Sequence, residues 1–296
     1  MLELVKEQIE RFIADLDEDI VNSLYAKIPE GKMLRSKLIL QIAPSKEGIF
    51  LASIVEMIHA ASLLHDDVID DADTRRGEAS INALFGNKSA IMLGDILYAK
   101  AFYELSALDK EIAQIISNAV VQLSLGELLD VEMAKDFNTD KEKYFAMIYK
   151  KTASLIEASA ASAAYIANKD REKFALYGKN LGLAFQIVDD ILDITQDEKT
   201  LGKPAMHDLK EGKTTLPYIY LYERLDENDR KRLLGLFKKD LTPQQKEWLL
   251  KKFAKTNALQ EAKETARKLG FEALEVLGSE DEKLKDIMSS LIERTY

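Results

Sequence analysis

Asp66-Asp67-Val68-Ile69-Asp70 recurs in form as Asp189-Asp190-Ile191-Leu192-Asp193, an acid pair followed three places on by a third acid. Each copy lies among aliphatic residues, Leu63, Leu64, Val68 and Ile69 in the first and Ile187, Val188, Ile191 and Leu192 in the second. Apolar spacing of this kind reads as a helix turning toward a core, where unpaired charge is costly, so something cationic must offset it. On a helix, residues four apart share a face, which puts Asp66 with Asp70 and Asp189 with Asp193 and leaves Asp67 and Asp190 to one side. Hard oxygen ligands on two helices suit magnesium, which keeps some of its waters and bridges to substrate phosphate. One tract alone would read as well as a solvated helix end. Two copies in apolar settings favour two carboxylate walls facing one metal-diphosphate.

Outward from the two tracts, apolar residues recur at three and four places almost everywhere, and strand-like alternation is essentially absent. The chain reads as all-α. Helices are predicted near 2–25, 31–42, 47–71, 87–106, 110–135, 140–150, 152–168, 170–196, 215–224, 227–237, 243–253, 256–277 and 281–293. The five prolines fall at the edges of periodic segments. Thr242-Pro243-Gln244-Gln245 and Ser279-Glu280-Asp281-Glu282 have the capping-box form. No composition shift divides the chain, so residues 1–296 are expected to form a single domain.

A formal net charge of -10 argues against a general nucleic-acid or anionic-membrane binder. Any basic contacts to a polyphosphate must therefore be local. With no cysteine, neither a disulfide framework nor a thiol nucleophile is available. Residues Met1 to Glu10 hold no apolar signal core, and no uncharged apolar run reaches membrane-spanning length. The stretch Ser154 to Ala167 comes closest but is interrupted by Glu157. The expectation is a cytoplasmic protein with no transmembrane segment.

The basic residues cluster where the acids are. Arg75 and Arg76 follow the first tract directly, and paired guanidiniums suit a bidentate grip on phosphate oxygens, although a surface salt-bridge cluster would look the same. Gly31-Lys32-Met33-Leu34-Arg35 opens a predicted helix, placing Lys32 and Arg35 on one face near its positive end. His59 lies two turns before Asp66, Lys151-Thr152 begins a small-residue helix, and the amide of Gln186 precedes Asp189 by three places. Lys203 and Lys213 fall in the segment Gln196 to Thr215, which follows the second tract as Ala72 to Ser80 follows the first.

Taken together these motifs resemble the all-trans isoprenyl diphosphate synthases, the polyprenyl synthetase family. Leu63-Leu64-His65-Asp66-Asp67-Val68-Ile69-Asp70 with Asp73-Thr74-Arg75-Arg76-Gly77 is similar to the family's first aspartate-rich motif. Phe185-Gln186-Ile187-Val188-Asp189-Asp190-Ile191-Leu192-Asp193 is similar to the second. Gly31-Lys32-Met33-Leu34-Arg35 resembles the amino-terminal Gly-Lys-x-x-Arg element, and Gly202-Lys203-Pro204 with Asp208-Leu209-Lys210-Glu211-Gly212-Lys213 resembles the loop after the second motif. Met33 and Ser36 stand where the family commonly has arginine and proline.

The resemblance implies a single large helical bundle around a central cavity, of isoprenoid synthase type. It implies that Asp66, Asp70 and Asp189 bind Mg2+ held by an allylic diphosphate, assisted by Asp67, Asp190 and Asp193. Arg75, Lys151 and Lys203 would contact that diphosphate, while Lys32, Arg35, His59 and Arg76 would hold isopentenyl diphosphate. Thr152 and Gln186 would lie beside the reacting carbons. The implied chemistry is electrostatic ionisation to an allylic cation, attack by the isopentenyl double bond, and proton loss, with no protein nucleophile. The family is usually homodimeric, and the Ala/Ser-rich helix from Ser154 would permit close packing.

Substrate tails must grow between helices, and residues one turn before Asp66 should line the upper wall. Those are Ala61 and Ser62, both small where short-chain members usually place a bulky group; Ile58 and Ile54 would lie deeper, and the floor would come from Leu128 to Phe137. The expected product is long-chain, close to octaprenyl diphosphate and membrane-seeking, with a geranylgeranyl or farnesyl diphosphate synthase as the alternative. A class I terpene cyclase fits less well because the second tract is fully aspartate, and a non-catalytic subunit of a heteromeric synthase would be expected to have lost one tract.

Overall fold

Several helix starts in this chain carry a side-chain cap: Ser45, Ser80, Asp140, Asp226 and Thr242 each accept from a backbone N–H of the first turn. The computed structural model describes residues 1–196, 206–278 and 281–293, and these divide by contact into two compact units, Met1–Val121 with Leu155–Ala175 and Gln122–Ser154 with Leu176–Tyr296.

In the first unit the order is α1 (Leu2–Ala14), α2 (Asp19–Tyr25), α3 (Leu34–Ile42), α4 (Lys46–Ile69), a two-stranded ribbon of β1 (Thr74–Arg75) and β2 (Glu78–Ala79), α5 (Ile81–Phe85) and α6 (Asn87–Leu105). Ser45 caps α4 by accepting from the Gly48 N–H at 3.1 Å. Helix α4 is apolar nearly all round because it packs on α6, α3 and α1, burying Leu51, Ile54, Val55, Met57, Ile58, Ala61 and Leu64. Each large aliphatic side chain so buried contributes about 1.5–3 kcal/mol. The Ser53 hydroxyl donates to the Val5 carbonyl at 3.2 Å and pins α1 to this helix.

Helices α7 (Lys110–Met133), α9 (Ser154–Ile166) and α10 (Arg171–Thr195) contribute residues to both units. The second unit adds α8 (Lys141–Ile148), a π-helical turn (Tyr149–Ala153), α11 (His207–Glu211), α12 (Leu216–Arg224), α13 (Glu227–Leu234), α14 (Pro243–Thr256), α15 (Ala258–Leu277) and α16 (Glu282–Glu293). Here α12 packs on α15 and α14, with the rings of Tyr218 and Phe253 edge to face at 5.3 Å. The expected capping box at Thr242 is present, both of its reciprocal bonds being made. At α16 the expected capping residues Ser279 and Glu280 lie outside the described residues, and the Asp281 carboxylate accepts from the Leu284 N–H at 3.3 Å.

The all-α reading holds, with five local differences. The predicted helix 2–25 is broken because Asp17 takes a left-handed conformation, φ 53°, between α1 and α2. The predicted helix 31–42 begins at Leu34, since Met33 is left-handed too, φ 50°. The polar stretch 72–80 contains the β1/β2 hairpin, whose two central residues Arg76 and Gly77 both have positive φ, 55° and 80°, as the tightest hairpin turns require. The segment predicted as a loop to Thr215 holds α11. The helices predicted at 140–150 and 152–168 are joined by the π turn rather than separated.

Two helices, Lys46–Ile69 and Lys110–Met133, are long and apolar enough by length and composition to cross a membrane, although neither is free of charged residues. The first is a core helix, 61% buried over its most apolar window; the second is 39% buried and exposes Val121, Leu125, Leu128 and Val131. The Ala/Ser-rich α9, expected to permit close packing, is buried within the chain: Ser159, Ala160, Ser162, Ala163 and Ala164 are all at 0% exposure.

Candidate active site

The first acid tract ends α4, and its five residues separate by exposure. Asp66 and Asp70 are half-buried, whereas Asp67 is 3% exposed. Arg75 meets Asp67 with two guanidinium nitrogens, Nε at 2.7 Å and Nη2 at 2.6 Å from Oδ1. A buried carboxylate held so tightly by an arginine is stable, and losing either partner would strand the other's charge. The Asp67 carbonyl also accepts from the Ala72 N–H at 2.9 Å and from the Asn82 amide at 3.3 Å. Asp67 is thus the peg on which the β1/β2 hairpin hangs. Arg75, expected on diphosphate, stands here on Asp67.

Arg76, at the hairpin turn, reaches the other way and donates from Nη1 to the Pro29 carbonyl at 2.8 Å. A Cβ on Gly31 would come within 2.9 Å of its guanidinium, so glycine there leaves the room Arg76 occupies. The Gly-Lys-x-x-Arg element and the arginine pair are therefore neighbours, as expected. Lys32 and Arg35 do not share a helix face, because Lys32 precedes the left-handed Met33 and lies exposed outside α3. Arg35 is half-buried and its Nε has no hydrogen-bond partner among the described residues. Ser36, where the family pattern has proline, uses the N–H that proline would lack: its N–H and its hydroxyl both donate to Glu56 Oε1, at 3.2 and 2.8 Å.

Glu56, His59, Leu63 and Arg76 line a cavity of about 310 Å³ together with Tyr25 and Met33. Burial, and then the positive charges of Arg35, Arg76 and Arg75, hold the His59 imidazole well below its usual 6.5. At neutral pH His59 is an uncharged group with one N–H to donate, set among guanidiniums. Burial likewise lifts the Tyr25 phenol to about 12, with Glu10 and Glu56 adding to it.

Ile54, Ile58 and Ala61, predicted along a substrate channel, are all at 0% exposure. They fall at three- and four-residue steps before His65, whose ring sits 5.6 Å from that of Tyr98 and whose Nε2 is 3.2 Å from the Ile91 carbonyl, so this stripe faces α6. Ser62, one turn before Asp66, is 5% exposed and donates to the His59 carbonyl at 2.9 Å.

The second tract, in the other unit, shares the half-buried first acid and the buried second, but its third acid is buried where Asp70 is not. Asp189 is half-buried, while Asp190 and Asp193 are 3% and 2% exposed. Asp190 accepts from the Tyr144 hydroxyl at 2.5 Å and from the Gln186 amide nitrogen at 2.9 Å. The Gln186 carbonyl in turn accepts from the Thr152 hydroxyl at 2.8 Å. Burial pushes the Asp190 carboxyl well above its usual range, the charge of Asp208 adds to this, and the two donors act against it. Asp193 accepts from the Asp208 N–H at 3.3 Å and fixes the start of α11. Thr152 and Gln186 thus meet as expected, and Lys203 lies outside the described residues.

Lys151 sits in the π turn and contacts Glu127 at 2.7 Å and Asp130 at 2.6 Å, both acids buried on α7. The turn is flanked by two glycines: a Cβ on Gly126 would lie 2.2 Å from the Lys151 nitrogen, and one on Gly182 would lie 2.5 Å from the Ala153 Cα. Single-turn π segments recur at functional sites because they re-aim side chains out of the α register. The sequence reading missed Glu127 and Asp130, although acids three apart in an apolar helix are the same signal as the two tracts. It also missed Tyr144, for which no local signal exists.

The three acids expected to bind metal, Asp66, Asp70 and Asp189, are the ones left partly exposed, and the three expected to assist are the buried ones. Among the described residues no three acid or histidine groups are already gathered into a cage. Magnesium takes one or two carboxylates and completes its shell from phosphate and water, so the donor set fits it.

His59 predicts a pH signature. Its native pKa is depressed, so it contributes nothing to the pH dependence above 6.5, and stability should fall as pH drops below 6.5, where the unfolded chain takes up a proton and the native state resists it. Urea midpoints measured from pH 7 to 5 should show this slope, and His59→Gln should flatten it; an unchanged slope in that variant would exclude the assignment.

Residues 18–253 match the polyprenyl synthetase family. The chain is 37% identical over 250 residues to a short chain isoprenyl diphosphate synthase of Methanocaldococcus jannaschii, covering 80% of this chain and 76% of that one. The crystal structure of octaprenyl pyrophosphate synthase from Helicobacter pylori is 46% identical, with a TM-score of 0.94 over 98% of both chains. A polyprenyl synthase from Caulobacter crescentus, crystallised with calcium and isoprenyl diphosphate, is 29% identical with a TM-score of 0.86 over 99% of this chain and 96% of that one. A family match running through both aspartate tracts and every basic element, in a helical fold shared along its length, makes this chain a member of the polyprenyl synthetase family.

Proposed function

We propose that this chain, a trans-prenyltransferase, condenses an allylic diphosphate such as farnesyl or geranylgeranyl diphosphate with successive isopentenyl diphosphates to a long-chain product close to octaprenyl diphosphate. The observation that carries the reading is the division shared by the leading acid pair of each tract, Asp66 and Asp189 half-buried and Asp67 and Asp190 buried and holding neighbouring side chains, with Asp70 half-buried beside Asp66. The uninterrupted family match across both units supports treating them as one catalytic domain.

Asp66, Asp70 and Asp189 would hold magnesium carried by the allylic diphosphate; bound there, the ion supplies Lewis-acid neutralisation of the departing charge. The calcium and isoprenyl diphosphate in the Caulobacter relative support a hard cation in this role. Arg76, Arg35 and neutral His59 are suited to the isopentenyl diphosphate, the arginines by charge and the histidine by a donated hydrogen bond. Lys32, exposed ahead of α3, can join them. Thr152 and Gln186 turn oxygens, not a nucleophile, toward the reacting carbons, which is what a cation needs. Lys151, with Lys203 beyond the described residues, would take the leaving diphosphate.

Small Ala61 and Ser62 before the first tract, and the similarity to an octaprenyl pyrophosphate synthase, support a long product. The short chain relative favours the alternative of a shorter one. Val121, Leu125 and Leu128, 54%, 43% and 65% exposed at four- and three-residue steps on α7, support a homodimer packed through that helix.

Purified protein given farnesyl and radiolabelled isopentenyl diphosphates should form a long prenyl diphosphate with magnesium and none with excess chelator; equal activity in both would end the metal mechanism. Ser62→Phe should shift the products shorter at similar total incorporation, and an unchanged distribution would remove Ser62 from the channel. Leu128→Glu should convert a dimer to monomer in sedimentation velocity, whereas a wild-type monomer would end the dimer proposal.

A further inference from the structure

Tyr144 lies eight residues before Thr152 and 46 before Asp190, is at 0% exposure, and has no part in the chemistry described above. Its hydroxyl donates to Asp190 Oδ2 at 2.5 Å. That leaves Oδ1, which accepts from the Gln186 amide nitrogen at 2.9 Å. An amide has one donating and one accepting end, so the Gln186 carbonyl must point the other way. There it accepts the only hydroxyl proton of Thr152, at 2.8 Å. One donor each of Tyr144, Gln186 and Thr152 is thus directed along this chain, and Thr152 Oγ1 and Gln186 Oε1 keep lone pairs.

We infer that Tyr144 is a positioning residue: through Asp190 it fixes the Gln186 amide so that Thr152 and Gln186 present oxygens, and not N–H or O–H dipoles, to the allylic cation. This rests on the prenyltransfer reading. Reversal of the amide would aim an NH2 group at developing positive charge and raise the barrier instead of lowering it. Tyr144 occupies the position that makes reversal costly, because a reversed amide would set its carbonyl against a carboxylate oxygen in a site without water-like screening. Asp190 takes the role of orienter in this arrangement, and Asp189, half-buried beside it, is the tract's metal-facing acid.

The test is Tyr144→Phe, which removes the hydroxyl and keeps the ring, assayed with farnesyl and radiolabelled isopentenyl diphosphates. The kcat should fall about tenfold, the scale of one hydrogen bond to a charged group. KM for both substrates and the magnesium concentration giving half-maximal rate should not move, since neither diphosphate nor metal is touched. In a Gln186→Leu background, where no amide remains to be oriented, Tyr144→Phe should cost nothing further. A purely structural role predicts equal losses in both backgrounds, and that result, or a kcat within twofold of wild type, overturns the inference. If Tyr144→Phe does not fold, Asp190→Asn reads the same point: an added donor next to Gln186 permits reversal, so kcat should fall with the magnesium dependence unchanged, and a raised magnesium requirement would mark Asp190 as a metal-side residue and overturn the inference. Wild-type protein that forms no product removes the functional reading and this inference with it; active wild type without the Tyr144–Gln186 coupling removes the inference alone.

Discussion

The constraint on which the rest depends is the burial of carboxylates that must each find donors. Asp67 and Asp190 hold the same place in their tracts, both are 3% exposed, and both are satisfied by side chains rather than by solvent. Satisfying Asp67 takes Arg75, which stands on the first strand of the hairpin immediately before its tight turn at Arg76 and Gly77. Satisfying Asp190 takes Tyr144 and Gln186, which brings α8 to α10 and draws Thr152 in after Gln186. The acids that do no visible chemistry set the positions of the groups that do.

Electrostatically the first unit's cavity is unusual in being lined by a neutral histidine beside guanidiniums, with Glu56 occupied by Ser36. A protonated His59 there would stand against the charges of Arg35, Arg76 and Arg75. Burial and the arginines therefore act in the same direction, and the imidazole's role is confined to hydrogen bonding. Ser36 completes this arrangement in a way proline could not, since two of its donors hold Glu56.

The all-helical class was legible because Leu, Ile and Ala recur at three and four places through α4, α6 and α10, and the aspartate tracts because their spacing matches a helix face. Thr242 and its capping box could be read directly. What could not be read was decided by single left-handed residues and by distant partners. Met33 at φ 50° shortens α3 and separates Lys32 from Arg35, and nothing in a methionine announces that conformation. Arg75 beside Arg76 reads as a grip on phosphate, and its bond to Asp67 follows from the burial that alone distinguishes Asp67 from Asp66. Tyr144 and Asp190 are joined across 46 residues, beyond any periodicity. The small residues of α9 correctly signalled close packing, but of the chain on itself.

The π turn from Tyr149 to Ala153 carries one residue more than an α-helical turn would, and the bulge absorbs that surplus so that the helical segments on either side keep their faces. Removing one residue from the turn would leave regular helix, with the serines and alanines of α9 still on their packing surface but Lys151 and Thr152 re-aimed. The backbone of Lys151 and Ala153 lies against Gly126 and Gly182 with no room for a side chain. A single deletion here would disturb the side chains of the site while sparing the fold around it.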